Sequence, residues 1–419
     1  MILIVSEVVG NFEMTTEQIA VYEVADFGTQ QGISASIFTA AGELIGASGP
    51  STPVIVPGGS APGQTLTWDP GAATKMSWQF PVVEVEDPTN NLLNGGFEFA
   101  QRLNPIALTT VTDNTYGPDQ WKCVRESADL QYIRVDGSAE AGLSSNYYGQ
   151  FKKITNAGKF LIAQPLEFDI TIPLRGRTMS FQLKMKASAS KTIHIALVEL
   201  NSSGTANTLP ALVSAYNVDG THPTLGANLA VIGSPYACDV TTTWANFVVT
   251  ATIPSNSNNL LMAIWTDADF AANDTLSMAE AGLYFGTTPR AWTPFPYNEM
   301  LTKLQKFYEK SFGVDRQPAT AVGLNAYEMQ FMAGKAGAAL QYCPTIRYLT
   351  RKFLSTPTIT IYNPSAANAQ VRDATAPADC TATTVVSVSG HHFFVSCTGA
   401  AGTLVGNKLA FNWTSEAAL

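Results

Sequence analysis

The chain has 419 residues, 46% of them hydrophobic, which is enough apolar chain for real cores and excludes a disordered protein. Its net charge is −9 with no basic run, so nucleic acid is not an expected partner. Only 14% of residues are charged, against about a quarter in ordinary globular chains, and Gly, Pro, Ser, Thr and Asn fill the gap. That composition suits strands and turns, and the length predicts two or three domains.

The opening MILIVSEVVG lacks a basic start, and its apolar run is too short for a signal peptide. No stretch approaches the roughly 18 apolar residues of a membrane span, so no membrane insertion is expected. Residues 1–90 read as a first region. Ile33–Phe38 and Leu44-Ile45 suggest a hairpin about Ala41-Gly42. Pro50–Pro62 reads as a linker, because repeated prolines do not fit a central strand. In GQTLTWDPGAATKMSWQF, Leu66 and Trp68 alternate with threonines, and Met76, Trp78 and Phe80 alternate with Ser77 and Gln79. Asp69-Pro70-Gly71 between them is a turn signal. An isolated hairpin is marginal in water, and this one carries an oversized apolar face. Leu66, Trp68, Met76, Trp78 and Phe80 are therefore expected to pack in a trimer or attachment core, or else on the chain's own second domain. Val82–Pro88 reads as an acidic spacer.

Residues 91–297 read as strand after strand. Gly95-Gly96 suggests a turn with positive φ, and Phe97, Phe99 and Trp121 are expected core anchors. Met179, Phe181, Leu183 and Met185 alternate with polar residues, the cleanest period-two signal in the chain. Ile193–Leu200, Trp244–Ile253, Leu260–Trp265 and Ser277–Phe285 follow. The loops Asn201–Asn207 and Asp219–Asn228 are rich in Gly, Ser, Thr and Asn. Such spacing predicts a sandwich or jelly roll.

Residues 298–419 begin with the single helix the pattern offers. Pro289, Pro294 and Pro296 hold the approach extended. Asn298 is the expected cap, with Glu299 in the first turn and Lys306 and Lys310 toward the end. Met300, Leu301, Leu304, Phe307 and Tyr308 make one apolar stripe. Thr358–Tyr362, Val385–Val388, Phe393–Cys397 and Leu409–Trp413 then predict a smaller β-sandwich.

The chemistry is sparse. The four histidines are His194, His222, His391 and His392, and GxSxG, HExxH and CxxC are absent. Five scattered cysteines, Cys123, Cys238, Cys343, Cys380 and Cys397, argue against a disulfide framework and for free thiols. Zinc at Cys380, His391, His392 and Cys397 is disfavoured, because adjacent strand residues point to opposite faces. Asp267, Asp269 and Asp274 cluster in one loop whose oxygens could hold calcium, but they match no calcium motif, so a solvated loop is the expectation. No metal and no cofactor is therefore expected. For a ligand, Tyr236, Trp244 and Trp265 near strand ends are the aromatic candidates, with core packing as their alternative.

Several of these strings resemble one family. The aromatic-proline segment before a short helix and the pair Phe307-Tyr308 are similar to a junction in tail-fibre and receptor-binding proteins of tailed bacteriophages. Asn94-Gly95 with Phe97 and Gln101-Arg102 resembles the opening of their jelly-roll module, and Tyr116-Gly117-Pro118-Asp119-Gln120-Trp121 resembles its next string. Gln120 stands where that family usually has arginine. The resemblance spans roughly residues 91–419 and extends to the Gly-Gln-x-Leu-x-Trp-Asp pattern near residue 66. It implies an all-β, non-enzymatic virion protein assembled in the bacterial cytoplasm, with a jelly-roll-like sandwich and a C-terminal sandwich at the tip. It implies a homotrimer whose N-terminal region meets other tail or capsid proteins, and whose partner is a host surface glycan or protein. A structural head-fibre, decoration or baseplate role is the alternative, and a glycan depolymerase the third.

Overall fold

The alternation of Met179, Phe181, Leu183 and Met185 becomes a ten-residue strand, Thr178–Ala187, whose apolar side is wholly buried. The computed structural model describes residues 90–127, 129–324 and 327–419 with their side chains. It also describes 44–49, 52–56, 65–68 and 76–79 by backbone pairing. The chain divides into two compact units, residues 1–84 and 85–419.

In the first unit, Leu44–Gly49 pairs with Thr52–Val56, so the stretch read as a proline linker contains a strand. Pro53 is tolerated because both strands of a two-stranded ribbon are edges, where a missing N–H costs nothing. The partner expected for Leu44-Ile45, Ile33–Phe38, lies outside the described residues. Thr65–Trp68 pairs with Met76–Gln79 as the expected hairpin, with Leu66 opposite Trp78 and Trp68 opposite Met76. Phe80 and the side chains of that hairpin lie outside the described residues.

The second unit is all-β and opens with a jelly-roll-like sandwich of two antiparallel sheets. In one, Leu229–Val231 and Tyr236–Val240 both flank Lys191–Leu200. Asn259–Thr266, Phe160–Pro165, Lys122–Arg125 and Thr115–Tyr116 follow in order. The other sheet runs Ala245–Thr252, Thr178–Ala187, Thr275–Phe285, Tyr147–Lys153, Leu130–Asp136 and Thr109–Thr110. Between them lies one core: Ile193, Ile195, Leu197, Met262 and Ile264 from the first sheet meet Phe181, Leu183, Met278 and Leu283 from the second. Phe97 and Trp121 stack at 5.1 Å inside it. The turn at Asn94 differs from expectation. Positive φ falls on Asn94 and Phe97, not on the glycines. Gly95 is required for another reason, since a Cβ there would sit 2.0 Å from the Ala281 carbonyl oxygen.

The helix is Tyr297–Gln305, shorter than the apolar stripe suggested. Pro296 is its N-cap, with no side-chain cap, and Asn298 lies inside the first turn. Proline's fixed φ is already compatible with a helix start, so the turn begins before the asparagine. The stripe breaks where Tyr308–Lys310 leaves the helix to pair with the last strand, Lys408–Glu416. A second helical piece, Phe168–Thr171 continuing as a 3-10 turn to Leu174, is too short for any periodicity to reveal.

That last strand centres the C-terminal sandwich. Tyr308–Lys310, Met329–Met332, Thr358–Tyr362 and Arg372–Asp373 all pair with it. Its opposing sheet is built on His392–Thr398, with Val385 opposite Val395. Phe393, Val395, Leu409, Phe411 and Trp413 form the core.

The two sandwiches are joined through the strings that resemble the fibre family. The Arg102 guanidinium makes a bidentate pair with Glu416, at 2.7 and 2.8 Å, and reaches Asp119 at 3.2 Å. It lies over the Tyr308 ring at 4.1 Å and near the Tyr116 ring at 4.8 Å. Gln101 donates to Asp119 from its amide and its backbone N–H. Met300 and Leu304 of the helix pack on Phe99. Lys352 is buried against Glu309. The buried pairs Arg102–Asp119 and Lys352–Glu309 are structural: removing one partner strands the other at a cost of about 3–5 kcal/mol.

Candidate functional site

Each sheet of the first sandwich has a face turned away from the shared core, and the two faces differ in kind. On the seven-stranded sheet, Val124, Leu161, Ala163, Ala196, Val198, Leu261, Ala263 and Trp265 make an apolar surface. The excursion between Leu200 and Leu229 covers it with Leu212, and with Leu209, Tyr216 and Leu225 in part. Tyr216 Oη donates to the Val124 carbonyl at 2.9 Å, fixing the cover to the sheet.

The outward face of the six-stranded sheet is polar. Register places Lys186, Ser277 and Gln150 in one row across three strands, and Asn246 beside Lys184 in the next. Val248 and Gln182 follow, then Thr250 and Ser180. Gln150 donates to Ser277 Oγ at 3.3 Å, and Gln182 exchanges two hydrogen bonds with the backbone of Arg290. Asn246 and Thr250 are exposed, while Gln150, Lys184 and Lys186 are partly so.

Trp244 stands at one end of this face, half-buried. Tyr148 meets its ring edge-on at 5.2 Å, and the Lys186 ammonium lies 4.9 Å from the Trp244 ring centre and 5.1 Å from that of Tyr148. Glu140 ties the group together. It accepts from Lys186 at 2.7 Å, from the Trp244 indole at 3.1 Å and from Tyr148 Oη at 3.4 Å. The Lys186 ammonium holds the Glu140 carboxyl below its ordinary range, against partial burial and with help from the indole N–H.

Beside it a β-bulge aims a second carboxylate. Gln182 faces Gly282 while Lys184 faces Ala279, so one strand carries an extra residue. Glu280 occupies the bulge at φ +53°, a region non-glycine residues seldom adopt. Its buried carboxylate pairs with Lys184 at 2.8 Å and accepts from the Ser144 and Ser145 N–H groups. Loop 137–146 is thereby held on the rim. The result is a fixed surface of aromatic rings, amides, hydroxyls and paired charges, which suits a polar, ring-shaped ligand better than an apolar one.

The three aromatic candidates do not meet. Trp244 lies on this face. Tyr236 is exposed on an edge strand of the other sheet. Trp265 is 1% exposed beneath the excursion, with its indole donating to Asp267 at 2.8 Å, and it has no open ring face to offer. The three aspartates also part company: Asp267 faces His194 and His222, Asp269 faces Lys159, and Asp274 pairs with Lys191. Cys380 and Cys397 are fully buried, while His391 is exposed and His392 bonds Ser389, so no four-ligand site forms there. Tyr148, Lys186, Glu140, Lys184 and Glu280 carried no sequence signal as a group. The alternation around Lys184 and Lys186 marked a polar face, but only register shows what stands beside it.

A cleft of about 440 Å³ opens where the sandwiches meet, lined by Arg102, Thr112, Tyr116, Lys122, Gln317 and Glu416 among others. Its strongest polar groups are already committed to one another, so the sheet face is the better candidate. Among the described residues no helix is long and apolar enough to cross a membrane.

No family model and no curated protein matches the chain. Solved structures do, over less than half of its length. The TmCBM61 structure in complex with beta-1,4-galactotriose is 14% identical, covering 47% of this chain and 99% of its own, with a TM-score of 0.28. The enzymatically active domain of tailspike protein 4 from bacteriophage CBA120 is 10% identical, with 47% of this chain and 21% of that one covered and a TM-score of 0.30. The CBM22-1 xylan-binding domain of Paenibacillus barcinonensis Xyn10C is 10% identical, covering 45% and 99%, with a TM-score of 0.26. The neighbours thus include carbohydrate-binding modules and a phage tailspike domain. At these scores neither fold nor ligand carries over to this chain.

Proposed function

We propose that the chain is a non-enzymatic glycan-binding protein of the phage tail-fibre type, which holds a bacterial surface polysaccharide on the outward face of the six-stranded sheet. The observation that carries this is the Trp244–Tyr148–Lys186–Glu140 group beside the partly exposed Gln150 and the exposed Asn246 and Thr250. Sugar rings present C–H faces that stack on aromatics and hydroxyls that need fixed polar partners, and this surface supplies both. The resemblance of Gln101-Arg102 and Tyr116–Trp121 to phage fibre modules supports the virion setting, as does the charge-poor composition. In that setting the protein works as a homotrimer, with Leu66, Trp68, Met76, Trp78 and Phe80 in a shared core and the N-terminal region meeting other tail or capsid proteins.

Affinity electrophoresis against a panel of extracted bacterial surface polysaccharides tests the reading. Retardation by at least one polysaccharide is expected, reduced about tenfold or more in Trp244→Ala, the loss of about 1.4 kcal/mol that one stacked ring supplies. The polysaccharide should keep its length. Shortening would instead favour a depolymerase, and absence of binding by folded protein a head-fibre or baseplate role. Light scattering that finds a stable monomer would remove the trimer.

A further inference from the structure

At the far end of the covered face, three side chains converge whose chemistry is unlike the rest of the molecule. His194 lies on Lys191–Leu200, directly opposite Trp265 on the neighbouring strand. Asp267 follows that strand, and His222 comes from the excursion that covers the sheet. His222 Nδ1 lies 2.8 Å and His194 Nδ1 3.2 Å from the same oxygen, Asp267 Oδ2. The other carboxylate oxygen is taken by the Trp265 indole N–H at 2.8 Å. One potential ligand atom from each residue falls within 4.8 Å of the others.

From these residues we propose a site for a first-row divalent transition metal, zinc foremost, which clasps the excursion to the sheet. Three features distinguish the cluster from a simple hydrogen-bonded group. First, His194 is 9% exposed and its Nδ1 makes no hydrogen bond among the described residues, although it lies close to Asp267. A buried nitrogen without a hydrogen bond is costly, and a metal would remove that cost. Second, zinc bonds of about 2.0–2.2 Å set ligand atoms about 3.4 Å apart at the edge of a tetrahedron. The two nitrogen–oxygen separations, 2.8 and 3.2 Å, would open by about 0.6 and 0.2 Å, and the widest separation in the group, within 4.8 Å, would close toward that value. Third, the carboxylate is already oriented from behind by the indole, as metal-binding carboxylates are by their outer partners.

The ligand types narrow the metal. Two imidazoles and one carboxylate suit zinc and its neighbours, whereas calcium and magnesium prefer all-oxygen sites. Three protein ligands leave a fourth position, on the side of the exposed His222, for water. The loop bearing His222 is braced for this role. Gly220 N–H donates to the Asp267 carbonyl at 3.0 Å, and Asn217 Nδ2 to the His222 carbonyl at 2.6 Å. Asp219 and Asp269 stand nearby, both paired with Lys159.

The test uses the full chain stripped by chelator and then titrated with zinc chloride by calorimetry, with cobalt(II) absorption as the readout of coordination. One zinc per chain is expected, with a visible cobalt spectrum of four-coordinate strength. The unfolding midpoint should rise with the logarithm of free zinc. His222→Ala changes an exposed residue and should fold normally, yet weaken zinc by about a thousandfold, beyond the 10–100-fold typical of outer-sphere changes. Asp267→Asn should do the same, and His391→Ala should change nothing. Zinc bound equally by wild type, His222→Ala and Asp267→Asn would overturn the site, as would no zinc bound at all. Binding of polysaccharide at Trp244, on the other sheet, is read separately and stands or falls independently.

Discussion

The two outward faces of the jelly-roll-like sandwich show how one architecture serves opposite ends. Both sheets contribute alternate residues to the same core, so each has a second side to dispose of. On the seven-stranded sheet that side is alanine, leucine and valine, and the chain spends the stretch from Asn201 to Asn228 covering it. On the six-stranded sheet it is lysine, glutamine, serine and threonine; Ser180, Gln182 and Ser277 are buried, while Lys184, Lys186, Asn246 and Thr250 reach solvent. Antiparallel sheets commonly leave one face to solvent, and here the side-chain chemistry decides which. The covered face gains stability from apolar burial. The open face is held by paired charges at Glu140–Lys186 and Glu280–Lys184, which fix geometry more than they add stability.

The sharpest way to break this contrast is to place a charge on each face. Ala196→Asp sets an unpaired carboxylate beneath the excursion and should cost about 3–5 kcal/mol, leaving little folded protein in denaturant titration. Thr250→Asp, on the open face, should stay within about 0.5 kcal/mol. Equal effects would mean the excursion does not seal its sheet.

Glu280 comes next. Glu280→Ala strips Lys184 and two backbone N–H groups of their acceptor while keeping the strained φ, and should cost about 2–3 kcal/mol in chemical unfolding. Loop 137–146 should become more accessible to protease. Glu280→Gln, which keeps some of the hydrogen bonds, should fall between.

The smallest effect is a titration. Because the folded Glu140 is more acidic than the free side chain, its contribution is complete above the unfolded value near pH 4.3 and is lost as pH falls through its lower folded value. Trp244 fluorescence should therefore change with a midpoint below about pH 4.3, and Glu140→Gln should abolish that step. A midpoint above pH 4.3 would show that Lys186 does not hold the carboxylate in solution.

Sequence by itself determined the class of fold. Strict alternation at Met179–Met185 and the runs Ile193–Leu200 and Leu260–Trp265 specify strands because the period of two is local, and each was found within two residues of its expected ends. The last sandwich was equally legible from Thr358–Tyr362 and Phe393–Cys397. Local signals failed where tertiary context overrode them. Tyr308 continues a helical stripe but leaves the helix because the last strand offers it a ladder. Pro53 reads as a breaker but sits in a ribbon with two edges. Trp265 and Trp244 look alike in sequence, each near a strand end. One is buried because an excursion some 50 residues earlier folds over it, and the other is half-open, with Glu140, Tyr148 and Lys186 packed against it. His194, His222 and Asp267 are separated by 28 and 45 positions in the chain. Their meeting depends on strand pairing and on the return of a long loop, which are contacts between distant residues that no local pattern encodes.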